Sequence, residues 1–531
     1  MHGGALHQHS HFNHHLLLLS TSTSTTAHSK HRMTHQSKIR ELCRLKDNIS
    51  ASTTTSVAQS LPEDVLYATF LSALPSSFNF YLSSDESFNK TDTVAPLNFS
   101  WVCRSWRTLI LSRPKLWSEI HIVGDFRSDE DKDKEENEKV VRLQRCVGEW
   151  LSRSRPSPLI VDLAICGYEE DHFKEFIPLF LSESDRFSSI HMDVHYCFTL
   201  SGFARTRTPI SFPCSPTVTS LRLNFKGANP PKAIIDLSRA VHGVDLPLEY
   251  LSLHSRSSVL PSCRDALYLP CLRHLNYSST EEEEKDERFQ QLICILCASP
   301  NLERLTLAIS GESDFALASN HGRKPIHLPR LTTFELSVSD RLSNNYFLQV
   351  LEFPSLRNLT IIISSGDQDA PTPLEPEQIH DFLAHQCSNP PLEILILNGG
   401  DFRPTPAMVS SLRNLLSLLE GLEALSLGEV IFNRSVLEML TVPSGDSLES
   451  PLCPSLSEIW LCRNSYQSEL KTHDFAKEDI DELIVSRWKA GSLRRAIIEC
   501  PLFGGMKERE RIVECVREGL SLQEFLLQAD S

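Results

Sequence analysis

The chain has 531 residues, room for about three to four domains of ~150 residues or for one long repeat array with additions. Hydrophobic residues make up 40% and charged residues 23%, enough apolar content for a sizeable core, which excludes wholesale disorder. Lys and Arg total 52 against 68 Asp and Glu, and the net charge of −16 argues against non-specific nucleic-acid or anionic-membrane binding, which needs cationic surface.

Residues 1–37 form a His/Ser/Thr-rich tail, with His7, His9, His11, His14 and His15 ahead of a Ser/Thr tract from Ser20 to Thr26. Adventitious metal binding suits such a tract, but its low complexity predicts a disordered, dispensable segment. Leu16 to Leu19 are too short for a signal-peptide core of ~7–15 residues. No run approaches the ~18 apolar residues of a membrane span. The 15 cysteines are odd in number and follow no disulfide framework. Reduced thiols and a cytoplasmic or nuclear location are expected. Cys294 and Cys297 make one C-x-x-C without a second ligand pair, so they read as small hydrophobes on a helix, and no metal or cofactor is expected.

From Lys38 the pattern becomes helical, with Ile39, Leu42, Leu45 and Ile49, and a Ser/Thr linker at 50–56 follows. Next comes Leu61-Pro62-Glu63-Asp64-Val65-Leu66 with Phe70, where proline opens a helix. Residues 76–96 are Ser/Asn/Asp-rich and predict a loop. The segment Trp101 to Leu109 predicts an amphipathic helix with Val102, Trp106 and Leu109 on one stripe, and Ser112-Arg113-Pro114-Lys115-Leu116-Trp117 closes the block.

The three ordered motifs, Leu61 to Phe70, Val102 to Leu109 and Ser112 to Ile122, resemble an F-box, more narrowly the F-box-like proteins abundant in mushroom-forming fungi. The 41 positions from Leu61 to Val102 exceed the usual spacing, and the excess falls in the 76–96 loop. The resemblance implies a small helical bundle over 38–122 that docks a Skp-type adaptor through Leu61, Pro62, Val65, Leu66, Val102, Cys103, Trp106 and Leu109. So many apolar groups exceed what a three-helix unit can bury, although some, Trp106 above all, could belong to the bundle core.

Residues 123–145 are expected as a charged linker, on the strength of the acidic run at 129–138. Beyond it an apolar-x-x-apolar-x-apolar pattern recurs over 146–531. It reads Phe187/Ile190/Met192, Val218/Leu221/Leu223, Leu248/Leu251/Leu253, Leu272/Leu275/Tyr277 and Leu302/Leu305/Leu307. It continues Leu331/Phe334/Leu336, Leu356/Leu359/Ile361, Leu392/Leu395/Leu397, Leu422/Leu425/Leu427 and Leu456/Ile459/Leu461. The copies lie about 30 residues apart, just above the ~20–29 of leucine-rich repeats. Helical spacing fills the gaps at 289–296, 379–383 and 409–419. The expected fold class is therefore α/β, an all-α F-box bundle followed by an irregular leucine-rich-repeat-like βα solenoid. An ordinary α/β domain is the alternative that the copy number disfavours.

No phosphate-binding, nucleophile-elbow or metalloprotease motif occurs, and the Glu281–Glu284 run reads as a solvated insertion, so no enzyme is expected. The F-box resemblance implies a substrate-recognition adaptor of a Skp–cullin–F-box ubiquitin ligase, in the ubiquitin-conjugation pathway. It would bring an unknown target protein close by raising its effective concentration. An F-box scaffold acting outside a ligase is the other reading. Residues between the repeat leucines face the opposite side of the sheet. Most are polar, such as Arg222, Ser252, Asn276, Thr306 and Thr360, but Ile362, Ile394, Ile396 and Trp460 are not. Those four are the expected target-binding residues, unless the amphipathic tail at 508–520 folds over them.

Overall fold

A computed structural model describes residues 61–74, 79–82, 96–125, 133–168, 177–196, 209–226, 232–241, 245–254, 257–260, 267–279, 285–309, 325–338, 348, 350–363, 376–386, 390–399, 405–428, 433–443, 450–462, 476–499 and 508–524. The His-rich tail, the helix expected at 39–49, the Ser/Thr linker and the Glu281–Glu284 run lie outside the described residues. The protein is mixed α/β with a large parallel sheet. It divides into two units, one ending at Arg186 and one beginning at Phe187.

The described part of the first unit opens with α1 (Glu63–Ala73), which starts directly after Pro62. Strand β1 (Asn79–Leu82) follows, inside the segment expected as a loop. Helix α2 (Leu97–Ser100) and helix α3 (Arg104–Leu111) come next. The amphipathic helix thus begins at Arg104, because Cys103 is extended (φ −159°) and Val102 sits in the break between the two helices. A 3-10 turn (Pro114–Trp117) leads into β2 (Glu119–Asp125). Helix α4 (Asp133–Arg153) then runs through the expected linker and past its end at 145. A charged face does not prevent a helix when Leu143, Val147, Trp150 and Leu151 supply a buried stripe at helical spacing. Strand β3 (Leu159–Tyr168) completes a parallel β1-β2-β3 order.

Trp117 is the pivot of this unit. It is fully buried, its indole N–H donates to the Ile110 carbonyl at 2.9 Å, and it meets Trp150 edge-on at 4.6 Å. The Arg153 guanidinium lies 4.7 Å from its ring centroid. A second anchor is Glu183, buried although charged, which accepts from Arg155 and, at 2.7 Å, from Arg186. Arg186 also donates to Ser154 and to the Ser157 carbonyl, each at 2.8 Å, and so pins the turn before β3. Burial raises the Glu183 carboxyl, but the two guanidinium partners outweigh it and hold the group below the ordinary carboxylate range.

The second unit contains β4 (Phe187–Tyr196), β5 (Ile210–Pro213), β6 (Ser220–Lys226), β7 (Ala233–Asp236), α5 (Ser238–Val241), β8 (Tyr250–Leu253), β9 (Ser257–Leu260) and β10 (His274–Ser279). It continues with α6 (Lys285–Ala298), β11 (Arg304–Ile309), β12 (Ile326–His327), β13 (Thr333–Val338), β14 (Leu351–Glu352), β15 (Asn358–Ile363), α7 (Pro376–Gln386) and β16 (Ile394–Gly399). The last part holds α8 (Pro406–Ser417), β17 (Ala424–Leu427), α9 (Arg434–Leu440), β18 (Glu458–Cys462), α10 (Lys477–Lys489), β19 (Arg495–Glu499), α11 (Glu510–Arg517) and β20 (Ser521–Glu524).

Its main sheet runs in the order β4-β6-β8-β10-β11-β13-β15-β16-β17-β18-β19-β20. The successive pairs are parallel. Two narrow parallel sheets, β5-β7-β9 and β12-β14, lie beside it in sequence. In all ten expected copies the three apolar positions are buried, the last two of each inside a main-sheet strand. Registers align these residues: Leu251 stands beside Leu275, Leu275 beside Leu305, and Leu305 beside Phe334. Helices α7 to α11 pack on their neighbours in sequence. Thr405 and Asn433 cap α8 and α9 through the amides of Met408 and Val436. Gly491, at φ +80°, ends α10 in the left-handed region that glycine tolerates. The 508–520 tail does not fold back over the sheet: it supplies α11, and β20 extends the array along β19.

Candidate functional site

The residues expected to dock the adaptor separate into three groups. Leu66 and Leu109 are buried and belong to the core of the first unit. Leu61, Val65 and Val102 are 38%, 46% and 49% exposed, and Pro62 is exposed beside them in sequence. Cys103 and Trp106 are half-buried. The Trp106 ring packs edge-on against Phe70 at 4.8 Å, and Phe70 stacks on Phe99 at 5.3 Å. These aromatics fasten α1 to α2 and α3. Trp106 is thus partly a core residue. The exposed set gains two members that the sequence reading missed, Trp101 at 63% and Leu111 at 40%. Trp101 lies just ahead of the second motif, in the turn between α2 and α3, and no pattern in the sequence marks it as exposed. Arg107 donates to the Ser100 carbonyl at 3.1 Å and braces the α2–α3 break that carries Trp101 and Val102.

The second surface lies on the main sheet of the second unit. Its register sets one row across neighbouring strands: Thr306, Glu335, Thr360, Ile396, Ser426, Trp460 and Ile497. Ile396 and Trp460 therefore share a row, with one strand between them. Ile394 belongs to the row below, beside Asn358 and Ala424, and Ile362 to the row above, between Ser337 and Asn398. Ile394, Ile396 and Trp460 are half-buried. Ile362 departs from expectation: at 8% exposure, between its two in-register neighbours, it presents little surface. Ile497 is buried as well.

Polar contacts define the ends of this row. The Trp460 indole N–H donates to Glu458 at 2.7 Å, and Glu458 pairs with Arg495 at 2.8 Å. Burial pushes the Glu335 carboxyl above its ordinary pKa, opposed by a hydrogen bond from Thr306. Gly428 stands beside Asn398, where a Cβ would come within 2.9 Å of the Asn398 Cα. A side chain at 428 would therefore displace the neighbouring strand end.

Among the described residues no group of three or more His, Cys, Asp and Glu could hold a metal ion. Cys294 is buried and Cys297 exposed on α6. No helix among them is long and apolar enough to cross a membrane. No protein-family model matches the chain, and no curated protein sequence matches it.

Proposed function

We propose that this protein is a substrate-recognition adaptor of a Skp–cullin–F-box type ubiquitin ligase. In this reading the first unit carries the F-box and the second is an irregular leucine-rich-repeat-like solenoid. The observation that carries it is the apolar surface of the first unit. Leu61, Val65, Trp101, Val102 and Leu111 are all at least 38% exposed. They sit on or beside α1 and α3, the two helices whose motifs resemble the F-box. Exposed apolar groups concentrated on two neighbouring helices mark a protein-binding face, and tryptophan is a favoured anchor.

The chemistry assigned to the chain is proximity alone. One face holds the ligase arm, the other holds the target, and the gain is effective concentration rather than bond making. Expression of the tagged full chain in a eukaryotic host, followed by pull-down, tests this. Recovery of a Skp-type adaptor together with a cullin is the expected result. Recovery of the adaptor without a cullin favours a scaffold outside the ligase, and recovery of neither overturns the F-box reading.

A further inference from the structure

The target-binding row has a spacing that selects a ligand conformation. Glu335, Ile396 and Trp460 lie on β13, β16 and β18, each two strands from the next, with Thr360 and Ser426 on the strands between. Neighbouring strands are ~4.8 Å apart, so the three larger side chains recur every ~9.6 Å, separated by small ones. A polyproline-II helix rises ~3.1 Å per residue with three residues per turn, so it presents every third side chain on one face at intervals of ~9.3 Å. The two periods match.

The chemistry along the row is ordered too. It runs from a carboxylate through an isoleucine to a tryptophan whose N–H is fixed by Glu458. Among the described residues, no lysine or arginine is ion-paired with Glu335; its hydrogen-bonding partner is Thr306. A half-buried acid with no cation on it among the described residues offers a place for one. The flanking rows are mostly polar or small, with Thr333, Asn358, Ala424, Glu458 and Arg495 around Ile394 below, and Ser337 and Asn398 on either side of the buried Ile362 above. An α-helix, ~10–12 Å across, would lay apolar surface over them.

We propose that, if this face binds the target as inferred above, it takes an extended proline-rich segment. That segment carries a basic residue on Glu335 and apolar residues three and six positions away on Ile396 and Trp460. Recognition of this type uses a preformed, low-entropy ligand against an aromatic platform.

The test is fluorescence anisotropy of the full chain with labelled ten-residue probes. One is a proline-rich peptide with an arginine and two leucines at every third position; another is the same sequence reversed. One polarity is expected to bind, and exchange of its arginine for alanine should weaken binding at least tenfold. On the isosteric Glu335→Gln variant the same exchange should have less than a twofold effect, because the two changes remove one interaction. Equal binding of the arginine and alanine peptides to the unaltered chain overturns the proposal. So does binding of neither polarity at millimolar peptide, or a helical peptide with leucines at heptad spacing that binds more tightly. The fate of the parent reading is separate. A chain that passes the peptide cycle but recruits no Skp-type adaptor overturns the ligase and keeps this site. A chain that recruits the adaptor and fails the cycle overturns this site alone.

Discussion

At the scale of single residues, the first unit contrasts side chains that hold it together with side chains that face water. Leu61 and Pro62 are exposed, so replacing both with alanine removes little buried area and should leave the melting temperature within a degree or two. Adaptor recovery in the same pull-down should nevertheless be lost; undiminished recovery would remove these residues from the docking face. Trp117 is the converse. Trp117→Ala should cost about 3–5 kcal/mol, because it deletes a fully buried ring and its hydrogen bond to Ile110. Glu183 adds a pH signature. Its folded-state pKa is depressed, so its stabilising contribution is present above the ordinary carboxylate pKa of ~4.3 and fades as pH falls through the folded value. Glu183→Gln should therefore destabilise at pH 7 by about 1–2 kcal/mol, the low end because Arg155 is largely exposed and screened. The two proteins should converge toward pH 3. Thermal melts at both pH values check this, and a difference unchanged at low pH would assign the effect to packing.

At the scale of elements, the C-terminal helices are joined by a buried cation. Arg487 on α10 is 1% exposed and donates to the Leu440 carbonyl, at the last residue of α9, at 2.6 Å, and to the Cys453 carbonyl at 3.1 Å. Helix C-termini leave carbonyls without intrahelical donors, and this guanidinium supplies one from the neighbouring helix. Burial lowers its pKa and pushes the Cys453 thiol up to about 12, so that thiol stays protonated at neutral pH. Arg487→Met should destabilise the second unit by about 2–3 kcal/mol, since it orphans two buried acceptors. Arg487→Lys should recover only part of this, because an ammonium lacks the planar fork that reaches both. Urea titration followed by circular dichroism measures both variants. A neutral Arg487→Met would mean that packing, not the two carbonyl bonds, holds α9 to α10.

At the scale of the whole molecule, a sheet built from successive parallel strands derives its stability chiefly from contacts between neighbouring units. Deletion of residues 508–531 should therefore lower the urea midpoint of the second unit without abolishing its folding, and should leave adaptor recovery unchanged. Complete loss of the β-sheet signal would show instead that the array folds only as one cooperative block. The period and the inside of this array are legible in the amino-acid sequence alone. Leucine, isoleucine and phenylalanine at three fixed positions read as buried because apolar area drives burial wherever the chain places it. Where the marker residues are weak, the pattern is not legible in the sequence. β19 carries it as Leu493/Ala496/Ile498 with an alanine at its centre, and β20, in register with it, has Gly519 where a leucine would start the copy and Glu524 where one would end it. β2 carries it as Trp117/Ile120/Ile122, hidden within the F-box-like motif. Which residues between the leucines meet in one row, and which of the motif's apolar side chains face water, emerge only in the folded chain. Both depend on strand register and helix breaks, which arise from pairing with partners tens of residues away rather than from local spacing. So Trp101, Glu335 and Ile497 carry no mark in the sequence that separates them from their neighbours, and the three-strand alignment of Glu335, Ile396 and Trp460 exists only once the sheet has formed.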